Sequence, residues 1–304
     1  MGTQWGGEIR GHMLSQLIAN GLIAGGTYAL IALGFSLIYG VCRFFHFAHA
    51  AVIVCAGYLV FALSSRLGVP LSLAVVLSIV LSSAMGALLE RAIYRPLRAK
   101  HASSLMLLVA SLGIYVVVQN VISVVFGDDP HALLSGLPTQ GISMFGARIT
   151  FIQVIILIVT LLLYSATGFF IAHTSAGRTI RAVASDSELA RIVGIDANRV
   201  MLLVFALGSG LAAAAGILIS FNVELTPTMG FDALLMGVVA AIVGGIASVP
   251  GALLGGFLVG LSQHLGVWKL PSQWQDAIVF VNLVLFLVLR PQGILGTPVR
   301  SAAV

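Results

Sequence analysis

A chain of 304 residues with 59% hydrophobic and only 8% charged side chains, and a mean hydropathy of +1.10, excludes an ordinary soluble domain, in which about a quarter of residues are charged. It is the composition of an integral membrane protein. The net charge of +5 does not point to nucleic acid, because the basic residues lie between apolar runs, where they orient a chain in a bilayer.

The N-terminal stretch MGTQWGGEIRGHMLSQ lacks the basic start and small-residue cleavage site of a signal peptide. The first apolar run, 17–40, is therefore expected to be a retained span. Further runs follow at 48–63, 71–89, 104–126, 151–172, 200–221, 233–247, 252–267 and 277–289. The second, seventh, eighth and ninth are short against the ~20 residues of one crossing. An all-α polytopic fold with roughly eight or nine transmembrane helices is expected, with residues 1–304 as a single transmembrane domain.

Cys42 and Cys55 lie in or beside the first two runs and give no disulfide framework. On a helix, Cys42, His46 and His49 would share one face at i, i+4 and i+7, but no fourth ligand is evident and no metal is assigned. Arg91, Arg95, Arg98 and Lys100 mark a cytoplasmic loop by the positive-inside rule, whereas 127–150, with Asp128, Asp129 and turn signals at Pro130 and 136–138, is poor in basic residues and should face out. If every run crosses, the N-terminus is outside and the C-terminus, with Arg290 and Arg300, inside. Asn20, Tyr28, Gln119, Asn120 and Asn282 are polar groups within apolar runs. They suit either a solute path or hydrogen bonds between helices. Trp268 and Trp274 fit interface anchors.

The basic island GRTIRAVASDSELARIVGIDANR, 177–199, carries Arg178, Arg181, Arg191 and Arg199 and is placed in the cytoplasm on that account. Ser185 with Glu188 reads as a capping box opening a short helix that Gly194 closes. Asp196 reads as the N-cap of the next span, with Ile195 and Val200 spaced as a hydrophobic staple. Such a segment is either a well-capped solvated loop or a docking element for a soluble partner.

Gly21 with Gly25, Gly251 with Gly255 and Gly256 with Gly260 are G-x-x-x-G pairs that allow close helix packing. The stretch GGIASVPGALLGG, 244–256, suggests a tight turn or paired half-helices. The acidic residues nearest lipid, Glu90, Glu224, Asp232 and Asp276, all sit at span ends, which disfavours an ion-coupled carrier. No phosphate-binding G-x-x-x-x-G-K-[ST] loop is present, so the energy source is expected on a separate ATPase.

The segment GLIAGGTYALIALGFSLIYG, 21–40, followed by Phe47, Ala48 and His49, resembles the opening signature of the LivH/LivM-type permeases of branched-chain amino-acid ABC transporters. The island around Gly177, Arg178, Arg181, Ala182, Asp186, Ala190, Gly194 and Ile195 is similar to that family's ATPase-facing loop, here about 173–199. GGIASVPGALLGG and the closing RPQGILG, 290–296, also match. The resemblance implies a permease subunit of a bacterial ABC importer in the inner membrane. Its partners would be a second permease chain, cytoplasmic ATP-binding subunits and an extracytoplasmic solute-binding protein. It implies no cofactor in this chain, ATP being used by the partner. Docking residues carried over are Arg178, Arg181, Asp186, Glu188, Ala190 and Gly194. Candidates for the solute path are Asn20, Tyr28, Arg43, His46, Phe47 and His49.

One departure stands out. Where the family commonly reads N-F-A-H-G followed by an acidic residue, this chain has His46, Phe47, Ala48, His49, Ala50 and Ala51, preceded by Arg43, Phe44 and Phe45. Branched-chain amino acids, aromatic acids, short amides and urea all remain open as solutes. A site built on Arg43 and the flanking phenylalanines would favour a solute with an anionic group and an apolar body. A passive channel for a small neutral solute is the alternative from another class.

Overall fold

The computed structural model describes residues 2–133, 141–144 and 146–296; the turn expected at 136–138 and Arg300 lie outside the described residues. In chain order the helices are α1 (Gly2–Cys42), α2 (His49–Phe61), α3 (Leu71–Leu89), α4 (Arg95–Ala99) and α5 (Ser104–Phe126). A hairpin of β1 (Gly141–Met144) and β2 (Ala147–Thr150) follows, paired from Gly141 opposite Thr150 to Met144 opposite Ala147. Then come α6 (Phe151–His173), α7 (Ser175–Ser185), α8 (Ser187–Ile192), α9 (Ala197–Asn222), α10 (Met229–Gly244), α11 (Val249–Gly266) and α12 (Gln275–Leu289). A π-helical turn extends α2 over Ala62–Arg66, and another, Glu90–Tyr94, joins α3 to α4.

Several helices start where a short polar side chain accepts a free N–H group of the first turn. Ser103 accepts from Met106 N to open α5, Thr150 and Gln153 form a reciprocal capping box for α6, and Ser248 accepts from Gly251 N at the head of α11.

Among the described residues, seven helices are long and apolar enough to cross a bilayer. The seventh and eighth apolar runs become α10 and α11, a pair bent by 119° across a four-residue break, which brings the number of membrane units to eight at most when the pair is counted once. Of the tight turn or paired half-helices expected from the glycines and Pro250, the turn is formed: the chain reverses after Gly244, and α11 runs back along α1 from beside Gly40 to beside Gly21.

α1 is the central helix. Its residues 29–35 are all buried, and it packs against α6, α9, α10 and α11. The contact with α11 is backbone to backbone and antiparallel. A Cβ on Gly21 would lie 2.9 Å from Leu261 Cα, and one on Gly25 would lie 2.8 Å from Phe257 Cα. Here the G-x-x-x-G spacing serves helix packing, where lipid supplies no hydrophobic push. By contrast α3, α5, α6 and α12 leave rows of large apolar side chains exposed, among them Val80, Val117, Leu162 and Val288. Those rows are the surface a bilayer or a second membrane subunit can cover.

The two ends of α1 mark two ends of the molecule. Near one, Gln16 bonds both backbone groups of Arg148 in the β-hairpin, at 2.8 and 3.1 Å. Just past the other, Arg43 Nη2 donates to the Ala184 carbonyl of α7 at 2.7 Å. At ~1.5 Å per residue the helix between them rises ~40 Å, about the thickness of a bilayer with its headgroups.

Candidate functional site

At the hairpin end of α1 a cavity of about 650 Å³ is lined by both Asn20 and Tyr28. Tyr28 Oη donates to Gln263 Oε1 at 2.9 Å, and Gln263 Nε2 in turn donates to Asp276 Oδ1 at 3.3 Å. Asn20 is fixed by Gln16 Nε2, which donates to its Oδ1 at 3.1 Å. Glu224, Asp232 and His264 line the same cavity. Sequence reasoning places the three acids at separate span ends and misses Gln263 altogether. All of them stand at the same end of helices that meet only in the fold, so the shared depth of the span ends is the usable signal.

Beyond Tyr28 the path along α1 closes. Ala29 to Phe35 are buried, and His46 and His49 are fully enclosed at this depth, the His49 ring lying beside Gly34. The two rings are 5.9 Å apart, and His46 is surrounded by Phe44, Tyr94 and Phe205 at 6.1, 5.3 and 4.9 Å. Neither ring nitrogen of His46 makes a hydrogen bond among the described residues. The helix stops at Cys42, and residues 43–48 are not helical, so the face that i, i+4, i+7 spacing requires does not form. Among the described residues no three potential ligands come within coordinating reach of one metal. Phe47 is half-buried, stacks on Phe231 at 6.3 Å and donates its N–H to Ser111 Oγ at 3.0 Å. Arg43, with φ +56°, is exposed, lines none of the principal cavities and spends its guanidinium on Ala184.

A second cavity, about 730 Å³, opens at the other end of α1 between Leu37, Gly40, Tyr164, Arg181 and the α10–α11 break at Ala247 and Pro250. That break is clamped by the RPQGILG segment. Ile294 N donates to Val243 O and Leu295 N to Gly244 O, both at 2.9 Å, while Gly245 and Gly293 hold φ of +112° and +76°. Both glycines are needed there, since a side chain is strained at such φ. Two motifs far apart in sequence thus make one structure.

The basic island folds as two helices instead of one. α7 buries Gly177, Ile180 and Val183, and Arg181 donates to the Ile171 carbonyl. The capping box read at Ser185 and Glu188 is not formed, because Ser185 ends α7. Asp186 caps α8 instead, its Oδ1 accepting from Glu188 N at 2.8 Å and Leu189 N at 3.0 Å. Gly194, φ +86°, closes α8 as expected: Gly194 N bonds Arg191 O and Ile195 N bonds Ala190 O, a Schellman pair. Asp196 caps α9 as expected, accepting from Asn198 N and Arg199 N at 3.0 and 3.3 Å. Ala190 faces inward, while Arg178 and Glu188 are exposed. At the tip Leu189, Ile192 and Val193 are 61%, 79% and 74% exposed, an apolar patch on an otherwise charged loop that sequence reasoning does not single out.

Residues 17–288 match the family described as "Branched-chain amino acid transport system / permease component". The chain is 36% identical to the high-affinity branched-chain amino acid transport system permease protein BraD of Pseudomonas aeruginosa, over 94% of this chain and 97% of that protein. It is also 36% identical to the permease protein LivH of Escherichia coli, over 93% and 96%. A probable LivH of Methanocaldococcus jannaschii is 27% identical over 92% of both chains.

Proposed function

From the premise that this chain belongs to the family of permease components of branched-chain amino acid transport systems, we propose that it carries branched-chain or closely related amino acids across the bacterial inner membrane. It does so as the permease of an ABC importer and performs no chemistry on the solute. The observation that carries this reading is the pair of cavities at opposite ends of α1, separated by the buried 29–35 layer. A path closed at mid-depth suits alternating access better than a passive channel, because solute moves only when the seal shifts.

The engine is external. The α7–α8 loop docks a cytoplasmic ATP-binding subunit, with Leu189, Ile192 and Val193 as apolar anchors and Arg178, Arg181 and Glu188 as the charged surround. Asp186, Ala190 and Gly194 hold the loop's shape. ATP is used by that partner, and this chain needs no cofactor. A second permease chain completes the membrane unit, and an extracytoplasmic binding protein delivers solute to the hairpin end. On this reading Asn20 and Tyr28 meet solute in the outer cavity, where Asp232 and Asp276 suit an ammonium group better than urea. Arg43 links the docking loop to the segment carrying His46, Phe47 and His49 in the seal.

The test is reconstitution of the permease with its ATPase and binding protein in vesicles, with labelled leucine as the probe. Uptake should require ATP and the binding protein. Leucine flux without ATP would overturn the importer reading in favour of a channel.

A further inference from the structure

α3 presents two unlike faces. Ala74, Ser78, Ser82, Gly86, Glu90 and Tyr94 recur every four residues and are buried, whereas Val76, Val80, Leu81 and Leu88 form an exposed apolar stripe. The exposed stripe ends at Arg91 and Arg95, both exposed. Beside them is a cavity of about 360 Å³ whose far wall is the start of α9, with Asn198 and Arg199.

The charges around this cavity are unequally matched. Glu90 is held by Arg98 in a bidentate pair, and Asp196 is engaged by Arg199 Nε at 3.2 Å and by two backbone N–H groups. Arg91 and Arg95 have no carboxylate partner among the described residues. Two unpaired guanidinium forks on one side, with Arg199 and the Asn198 amide opposite, make a bidentate receptor for phosphate oxygens.

We propose that this cavity binds the phosphate of an anionic phospholipid, with the acyl chains lying along Leu81 and Leu88. The apolar stripe leading directly to the arginines favours a lipid over a soluble phosphate, which would gain nothing from it. It also favours a lipid over a protein, since basic pockets at the headgroup depth of a helix bundle are where anionic lipids are held. The site does not depend on which solute the permease carries.

Native mass spectrometry of the purified chain, titrated with phosphatidylglycerol or phosphatidylcholine, tests it. The parent should retain phosphatidylglycerol at least about tenfold better than phosphatidylcholine, and Arg91→Gln/Arg95→Gln should lose that preference. Lys100→Gln, outside the cavity, should not. Equal retention of both lipids by the parent overturns the proposal even if the double variant fails to insert. So does displacement of phosphatidylglycerol by millimolar inorganic phosphate, which would make this a soluble-phosphate site. Parent-like lipid binding by the double variant, with loss of ATPase co-purification, would reassign the arginines to the protein interface.

Discussion

The Arg43 guanidinium and the Ala184 carbonyl, 2.7 Å apart, join the break after α1 to the last turn of α7. Arg43 holds φ +56° to make this bond, a conformation disfavoured for a side chain of its size. The connection runs from the docking loop to the segment that carries His46 and His49 into the sealed layer.

Arg43→Gln should therefore leave the complex assembled but loosen its coupling. A charge-assisted hydrogen bond contributes ~1.5 kcal/mol or more, so ATP-driven uptake should fall about tenfold while basal hydrolysis persists. Arg43→Gly relieves the backbone but also removes the bond, and it should be equally impaired. Parent-like uptake by Arg43→Gln would remove this residue from the coupling route.

The apolar tip of α8 makes a second expectation. Leu189→Asp with Ile192→Asp alters only exposed positions, where folding cost is within about 0.5 kcal/mol each. The ATPase should no longer co-purify, although insertion and thermal stability stay at the parent's level. Asp186→Ala removes a cap worth ~1 kcal/mol and should weaken the same association about fivefold. Full ATPase recovery with the double variant would show that the loop tip is not the contact.

Long apolar stretches are legible from sequence because their boundaries are chemical. Pro70 and Ser103 start α3 and α5 at the residues the hydropathy pattern indicates. The α10–α11 bend is legible for a similar reason, since Gly244, Gly245 and Pro250 disfavour a continuous helix. α7 escapes such a reading, having only Gly177, Ile180 and Val183 as its inner face within a basic run. The break at 43–48 has no glycine or proline to announce it; Arg43 is held in its turn by α7, a partner 141 residues away. The outer cavity is half legible. Asn20 and Tyr28 stand out as polar groups in an apolar run, but their meeting with Gln263 and Asp276 depends on α1 lying antiparallel to α11.

That antiparallel contact predicts a sharp steric effect. A Cβ on Gly256 would lie 2.6 Å from Ala29 Cα, where the backbones of α1 and α11 meet. Gly256→Leu should destabilise by ~1–3 kcal/mol and lower the melting temperature of the detergent-solubilised protein by several degrees. Gly113→Leu is the control, because nothing lies within 4 Å of a Cβ there. Equal melting of the two variants would mean that α1 and α11 are not in backbone contact.

The outer cavity predicts how solute is chosen. Asp232 and Asp276 face the space that Tyr28 and Gln263 border, and the Tyr28–Gln263–Asp276 chain of hydrogen bonds fixes one of the two carboxylates in place. Two carboxylates facing one cavity favour an ammonium group through charge-assisted hydrogen bonds. The parent should therefore take up leucine in preference to its 2-oxo acid, which has the same apolar body and no ammonium. Asp232→Asn with Asp276→Asn should cut leucine uptake by about tenfold or more, each charged hydrogen bond contributing ~1.5–3 kcal/mol, and should narrow the leucine preference. Tyr28→Phe leaves the carboxylates and frees only the Gln263 acceptor, so its effect should be about fivefold. Binding-protein affinity for leucine should not change in any variant, which separates the cavity from the delivery step. If the double variant keeps both its uptake rate and its preference for leucine over the oxo acid, these carboxylates do not meet the solute.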